Sequence, residues 1–323
     1  MQLTGLHHVT AVTGRASENV AFYTQVLGLR LVKKTVNQDD VSAYHLFYGD
    51  DLGRPGFDLT FFVWSDLPPA RPGAGTVSAV ALRVDGRSAL EYWARRLEEH
   101  GVRHGGLVER YGETLLPFSD PEGLALELVD DRGAPPIGVW HRGPVPPDAA
   151  IRGLHAVTLT VRRLAPTEAL LTQVLGFRQT AIYPQIEDPS RRVAIFETGP
   201  GGPSARVRVR EQPDAPYGQV GTGGVHHVAY RTPDEGEQAA WQRRLLQAGV
   251  GVTPIIDRYY FKSIYFREPG HVLFEIATDG PGFATDEDPE HLGETLALPP
   301  FLEPRRREIE AGLPPIAAPR LGR

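Results

Sequence analysis

One offset recurs along this chain and limits what it can fold into. Leu6-His7 returns as Leu154-His155, where 155 − 7 = 148. Val26-Leu27-Gly28-Leu29 returns as Val174-Leu175-Gly176-Phe177, where 174 − 26 = 148. Val77-Ser78-Ala79-Val80 matches Val225-His226-His227-Val228, Arg110-Tyr111 matches Arg258-Tyr259, and Glu127 matches Glu275, all at the same spacing. Asp120-Pro121-Glu122-Gly123 has a shorter echo in Glu268-Pro269-Gly270. A period this long marks a duplicated domain, not a solenoid of small repeats.

Within each half the pattern divides again. Residues 3–13 read as a strand, and Ser17–Leu27 as a short helix with Ser17 as its cap and Gly28 closing it. Strand-like runs follow at Leu29–Val36, Ala43–Tyr48 and Phe57–Trp64. After Pro68, Pro69, Pro72 and Gly73 the order repeats: strand Val77–Val84, amphipathic helix Ser88–His100, and strands Val102–Arg110, Thr114–Phe118 and Leu124–Val129. The expected fold class is therefore α+β, with four βαβββ modules at roughly 3–66, 75–131, 151–212 and 223–279. Residues 1–131 and 151–280 form two domains, with 132–150 as a Pro- and Gly-rich linker. Residues 281–323 stand outside the repeat as a tail expected to pack on the surface, with a short helix at Pro304–Ala311.

Composition narrows the chemistry. The chain has no cysteine, which removes disulfides, thiolate metal sites, iron–sulfur clusters and a cysteine nucleophile. A net charge of −6 gives no reason to expect nucleic-acid or anionic-membrane partners. No basic region with an apolar core precedes the first strand, and no apolar run approaches the ~18 residues of a membrane span. The expectation is a cytoplasmic enzyme or binding protein.

Two paired histidines carry the site. His7-His8 opens the first module and His226-His227 the fourth, and Glu275 interrupts the apolar strand Val272–Ile276. Side chains alternate along a strand, so one histidine of each pair is expected to face a concave interior and the other to face away. Two imidazoles and a carboxylate are the ligand set of non-haem Fe(II) oxygenases. The repeat acts as an internal control. His8 corresponds to Ala156 and His227 to Ala79, while the carboxylate is present twice, as Glu127 and Glu275. Only modules one and four together can assemble His8, His227 and Glu275. These two modules are therefore expected to share one cupped barrel, with modules two and three forming a second, metal-free cup. A glutamate buried among apolar residues needs a partner. The metal supplies one for Glu275, and the sequence names none for Glu127.

At these residues the chain resembles the vicinal oxygen chelate superfamily, which includes glyoxalase I, extradiol dioxygenases and the bleomycin- and fosfomycin-resistance proteins. More narrowly it is similar to the hydroquinone ring-cleaving dioxygenases. The stretches that carry this are Leu6–Thr10, Gly224–Ala229, Asp257–Gly270 and Phe274–Phe283. The resemblance implies Fe(II), or Mn(II), held by His8, His227 and Glu275, with His7, Thr10, His226, Arg258 and Tyr265 around them. It implies a small aromatic para-diol and O2 as substrates and a maleylacetate-type or acyl product; the oligomeric state is left open, with a homodimer as one option. His226 or Tyr265 would contact the ring hydroxyl, and Arg258 would stabilise developing negative charge. The bland alternatives are an ion pair of Arg258 with Asp257 or Glu268, and a purely barrel-lining Tyr265. Arg110, the repeat counterpart of Arg258, would be structural. Competing functions are a glyoxalase- or fosfomycin-type lyase or transferase, an extradiol catechol dioxygenase, and a non-enzymatic small-molecule binder. His271, in the turn after Pro269-Gly270, is expected to be exposed.

Overall fold

A computed structural model describes residues 1–316. Module one runs β1 (Leu6–Thr13), α1 (Ala16–Ala21), β2 (Arg30–Asn37), β3 (Asp40–Gly49) and β4 (Asp58–Val63). Module two runs β5 (Thr76–Val84), α2 (Gly86–Glu99), β6 (Val108–Arg110), β7 (Glu113–Ser119) and β8 (Ala125–Asp130). Module three runs β9 (Leu154–Val161), α3 (Leu164–Ala169), β10 (Arg178–Pro184), β11 (Arg192–Glu197) and β12 (Arg206–Glu211). Module four runs β13 (Val225–Thr232), α4 (Glu235–Gln247), β14 (Ile256–Asp257), β15 (Lys262–Arg267) and β16 (Leu273–Thr278).

The strands form two eight-stranded sheets, each curled into a cup. One has the order β14-β15-β16-β13-β1-β4-β3-β2, the other β10-β11-β12-β9-β5-β8-β7-β6. Modules one and four share the first sheet and modules two and three the second, as the ligand arithmetic requires. In each, the two modules meet at a central antiparallel pair, β1 with β13 or β9 with β5. Helices pack on the convex sides. α2 buries Ala89, Leu90, Trp93 and Leu97, the three- and four-residue spacing of one helical face. In α4 the buried set is Gln238, Trp241 and Leu245.

Three local expectations change. Ser17 lies inside α1, the N-cap position belongs to Arg15, and no side chain caps it. Just before the helix, Gly14 N donates to Glu122 Oε1 of module two at 3.0 Å, a tertiary contact that ties the helix start to the neighbouring module. The helix then widens into a π turn at Phe22–Val26 before Gly28 closes it at φ 70°, and module three repeats this with Leu170–Val174 and Gly176. Only Val108–Arg110 of the expected run from Val102 is a strand.

The tail is the third correction. It does more than coat the surface. From β16 it crosses to module one, and Phe283 packs against Phe47 and Tyr260 at the base of the metal-candidate cup. Asp286 and Glu287 clamp the fully buried ammonium of Lys33. The helix α5 (Arg306–Gly312) starts two residues after Pro304, and residues 317–323 of the tail lie outside the described residues.

Candidate metal centre

The register of the first sheet assembles the site. Ala229 of β13 pairs with His8 of β1 on one side and Glu275 of β16 on the other. Three neighbouring strands therefore present His8, Ala229 and Glu275 in one row. Because Ala229 carries only a methyl group, the two flanking side chains can lean over it. His227 lies two residues along β13 and so shares the face. The result is a tight, buried triad. His8 Nε2 lies 3.3 Å from His227 Nε2 and 3.3 Å from Glu275 Oε2, and His227 Nε2 lies 2.9 Å from the same oxygen.

His7 and His226 do not turn away from the cup as strict alternation predicts. Each is the extra residue of a β-bulge. Leu6 and His8 face the consecutive residues Tyr230 and Ala229, and Thr10 and Ala11 face His227 and Val225. A bulge rotates the inserted residue toward the side of its neighbour. It brings His7 Nδ1 to 2.9 Å from His8 Nδ1, and His226 Nδ1 to 2.8 Å from His227 Nδ1.

This chain of rings sets the tautomers. His7 Nε2 lies 3.1 Å from the Thr278 carbonyl oxygen, which only accepts, so this nitrogen donates. Burial holds His7 neutral, with its pKa pushed down to about 3. Its Nδ1 is then a lone pair that accepts the proton of His8 Nδ1. His8 Nε2 is left bare and aimed at the triad. His226 is likewise pushed down to about 3 by burial, so it stands neutral with its Nδ1 against His227 Nδ1. Glu275 is fully buried against these rings. Its Oε1 accepts from Ser263 Oγ, whereas Oε2 is buried without a hydrogen bond of acceptable geometry. The bare His8 nitrogen and an unpartnered carboxylate oxygen converging in a dry place repel one another. A divalent cation would relieve that repulsion and use every lone pair. The donor set fits a metal with nitrogen and oxygen ligands.

Around the triad, Tyr265 faces His227 with ring centroids 5.8 Å apart, and Arg258 Nε donates to Tyr265 Oη at 3.3 Å. Arg258 pairs with neither Asp257 nor Glu268. Its two terminal nitrogens reach Asp39 at 3.0 and 2.8 Å, clasping the β2–β3 turn of module one onto module four. Thr10 stands opposite His227 in the β1–β13 register, and its Oγ1 accepts from Thr60 Oγ1 at 2.8 Å. The exposed His271 sits in its turn at φ 81°. Sequence reasoning missed His45, which lines the cup and lies 2.9 Å from Thr60 Oγ1 through Nε2. Burial pulls its pKa well below the ordinary histidine value. It also missed Phe261, whose ring packs on both His7 and His8. The offset of 148 held the signal for His45, because its counterpart is Val193 (45 + 148 = 193).

The second cup repeats the row with different chemistry. Ala156, Ala81 and Glu127 stand where His8, Ala229 and Glu275 stand in the first. The partner of Glu127 is the buried guanidinium of Arg208, which also reaches Glu113 at 2.9 Å. His155, counterpart of His7, bonds Glu113 at 2.8 Å.

The model of the Glyoxalase/Bleomycin resistance protein/Dioxygenase superfamily matches residues 5–128 and 153–276. The chain belongs to this superfamily. Within it, the chain is 46% identical over 317 residues to a Bacillus subtilis protein provisionally named ring-cleaving dioxygenase MhqA, covering 98% of this chain and all of that one. It is 33% identical over 314 residues to the chlorohydroquinone/hydroquinone 1,2-dioxygenase of Sphingobium indicum, covering 95% of each. A crystal structure of a provisionally named dioxygenase from Bacillus subtilis superposes with a TM-score of 0.90 at 41% identity, covering 98% of both chains. Glyoxalase I from Zea mays, at 15% identity and a TM-score of 0.64 over 85% of this chain and 92% of its own, shares the superfamily fold. Among the described residues, no helix is long and apolar enough to cross a membrane.

Proposed function

We propose that this protein is an Fe(II)-dependent ring-cleaving dioxygenase that inserts O2 into a hydroquinone-type para-diol, with His8, His227 and Glu275 holding the metal. The observation that carries this reading is the buried convergence of two imidazole Nε2 atoms and one carboxylate oxygen. Similarity to a hydroquinone dioxygenase over nearly the whole chain supports the substrate class. His8, His227 and Glu275 would hold the metal, which when bound would supply Lewis-acid and O2-activating chemistry beside the substrate.

The chain's own residues do the rest. His7 and His226 fix the ring orientation and tautomer of the two ligands, acting behind them rather than on the substrate. Burial raises the Tyr265 pKa, so its hydroxyl stays protonated and serves as a donor to the substrate's oxygen. Arg258, beside it, supplies fixed positive charge where negative charge develops. His45 is held neutral on the opposite wall and is placed to accept a phenolic proton. Phe47, Phe62 and Phe261 give the ring an apolar slot.

The free space beside the triad is about 40 Å³. Small-molecule sites usually offer about 300–1,000 Å³. Entry of a ring therefore requires the Asp39–Arg258 clasp to open, and that clasp lies at the surface where an ion pair is weak. The test is oxygen uptake by anaerobically Fe(II)-loaded protein given hydroquinone, methylhydroquinone and catechol. The proposal expects uptake with the para-diols and none in His227→Ala. Uptake with catechol alone would move the assignment to ortho-diols. No uptake despite bound metal would move it to lyase chemistry.

A further inference from the structure

The mouth of the metal-free cup is an open cavity of about 560 Å³, within the range of small-molecule sites. Its wall is partly apolar, through Ala79, Pro117, Phe118 and Leu126. Three arginines, Arg103, Arg110 and Arg210, stand at the same opening. The carboxylate they share it with, Glu127, is already hydrogen-bonded by Arg208 from below.

Comparison at the offset of 148 shows what has changed. Arg110 occupies the place of Arg258, and Glu187 the place of Asp39 (187 − 39 = 148). In the first cup Asp39 takes two hydrogen bonds from Arg258. In the second, Glu187 bonds Arg210 at 3.1 Å and leaves Arg110 without its clasp. Arg110 retains a contact of 3.7 Å with Glu127, too long for a hydrogen bond. Its Nε is buried and has no hydrogen-bond partner among the described residues. Arg103 likewise has neither a hydrogen bond nor an ion pair among them.

We propose that this mouth binds a small organic carboxylate with an apolar body. The carboxylate would receive hydrogen bonds from Arg110 and Arg103, whose planar forks match its two oxygens. The apolar body would lie on Ala79 and Pro117. The site uses none of the groups assigned to ring cleavage, so it stands whether or not that reading does.

Calorimetric titration of benzoate into the metal-loaded protein tests this, with benzamide and inorganic phosphate as controls. The expected result is one benzoate per chain, with binding kept in His227→Ala and weakened about tenfold or more in both Arg110→Gln and Arg103→Gln. Benzamide, which has the same shape without the charge, does not bind, and added salt weakens benzoate. Thermal unfolding of each variant confirms that it is folded. No benzoate binding at millimolar concentration overturns the proposal. So does binding lost in His227→Ala but kept in the arginine variants, which would place benzoate at the triad. Benzamide binding as tightly as benzoate overturns the role of the arginines, and phosphate binding as tightly overturns the role of the apolar wall.

Discussion

The two cups share a backbone plan and solve one electrostatic problem in two ways. Each buries a glutamate at the same register position, Glu275 in one and Glu127 in the other. In the second cup the balancing cation is part of the chain: Arg208, reaching in from β12. In the first, the position equivalent to Arg208 is Thr60 (208 − 148 = 60), and two imidazole Nε2 atoms face the carboxylate. One cup is thus complete as a folded polypeptide, and the other presents a donor set that fits a cation from solution. The first is also closed at its base by the tail, through Phe283 and the Lys33 clamp, a support its counterpart lacks among the described residues.

If this contrast is right, the cups respond oppositely to losing a charge. The largest effect is expected from Arg208→Met. It leaves the buried Glu127 without its hydrogen-bonded cation and should cost about 3–5 kcal/mol in urea unfolding of the metal-free protein. Glu275→Gln in the same metal-free protein should cost little or stabilise it, since it removes a charge with no fixed cation. Equal losses in the two variants would break the contrast.

Acid should act through the second cup in a defined window. Burial works against ionisation of Glu113, but the hydrogen bond from His155 and the charges of Arg208 and Arg206 hold its pKa down to about 2. A carboxylate depressed in the folded state contributes stability above its unfolded value, 4.5, and loses it as pH falls toward about 2. The stability gap between the native protein and Glu113→Gln should therefore be constant above pH 4.5 and shrink below it. A gap that widens on acidification would contradict the assignment.

Smaller effects sharpen the picture. His7→Ala should weaken metal binding by about 10–100-fold while leaving the triad in place, as loss of an orienting partner does. His155→Ala, its counterpart, should leave metal affinity unchanged. Smallest of all, Asp39→Asn should cost at most about 1 kcal/mol in stability, because Asp39 is 70% exposed. Its expected signature is a change in hydroquinone KM rather than in unfolding.

Much of this contrast is legible in the sequence because it rests on residue identity at a fixed offset. Ala79 and Ala156 exclude modules two and three from holding the triad, so the pairing of modules follows without coordinates. What is illegible depends on which way a strand faces. Arg206-Val207-Arg208-Val209-Arg210 reads as a strand with one solvated side. The sheet curls so that Arg208 lies inside the cup, almost fully buried, and it becomes the partner Glu127 needs. The bulges at His7 and His226 are hidden for a related reason. A bulge is a mismatch between two strands more than two hundred residues apart, and neither strand shows it alone. The tail carries no periodicity that would announce Phe283 as a core residue. Its place depends on the gap at the base of the cup, which exists only once both modules are folded.

The most direct measurement is anaerobic titration of the metal-free protein with Fe(II), following bound metal per chain in the native protein, His227→Ala and Glu127→Gln. One tightly bound ion per chain, lost in His227→Ala and retained in Glu127→Gln, is the predicted result. Two ions per chain, or one that survives His227→Ala and disappears with Glu127→Gln, would contradict the division of the two cups.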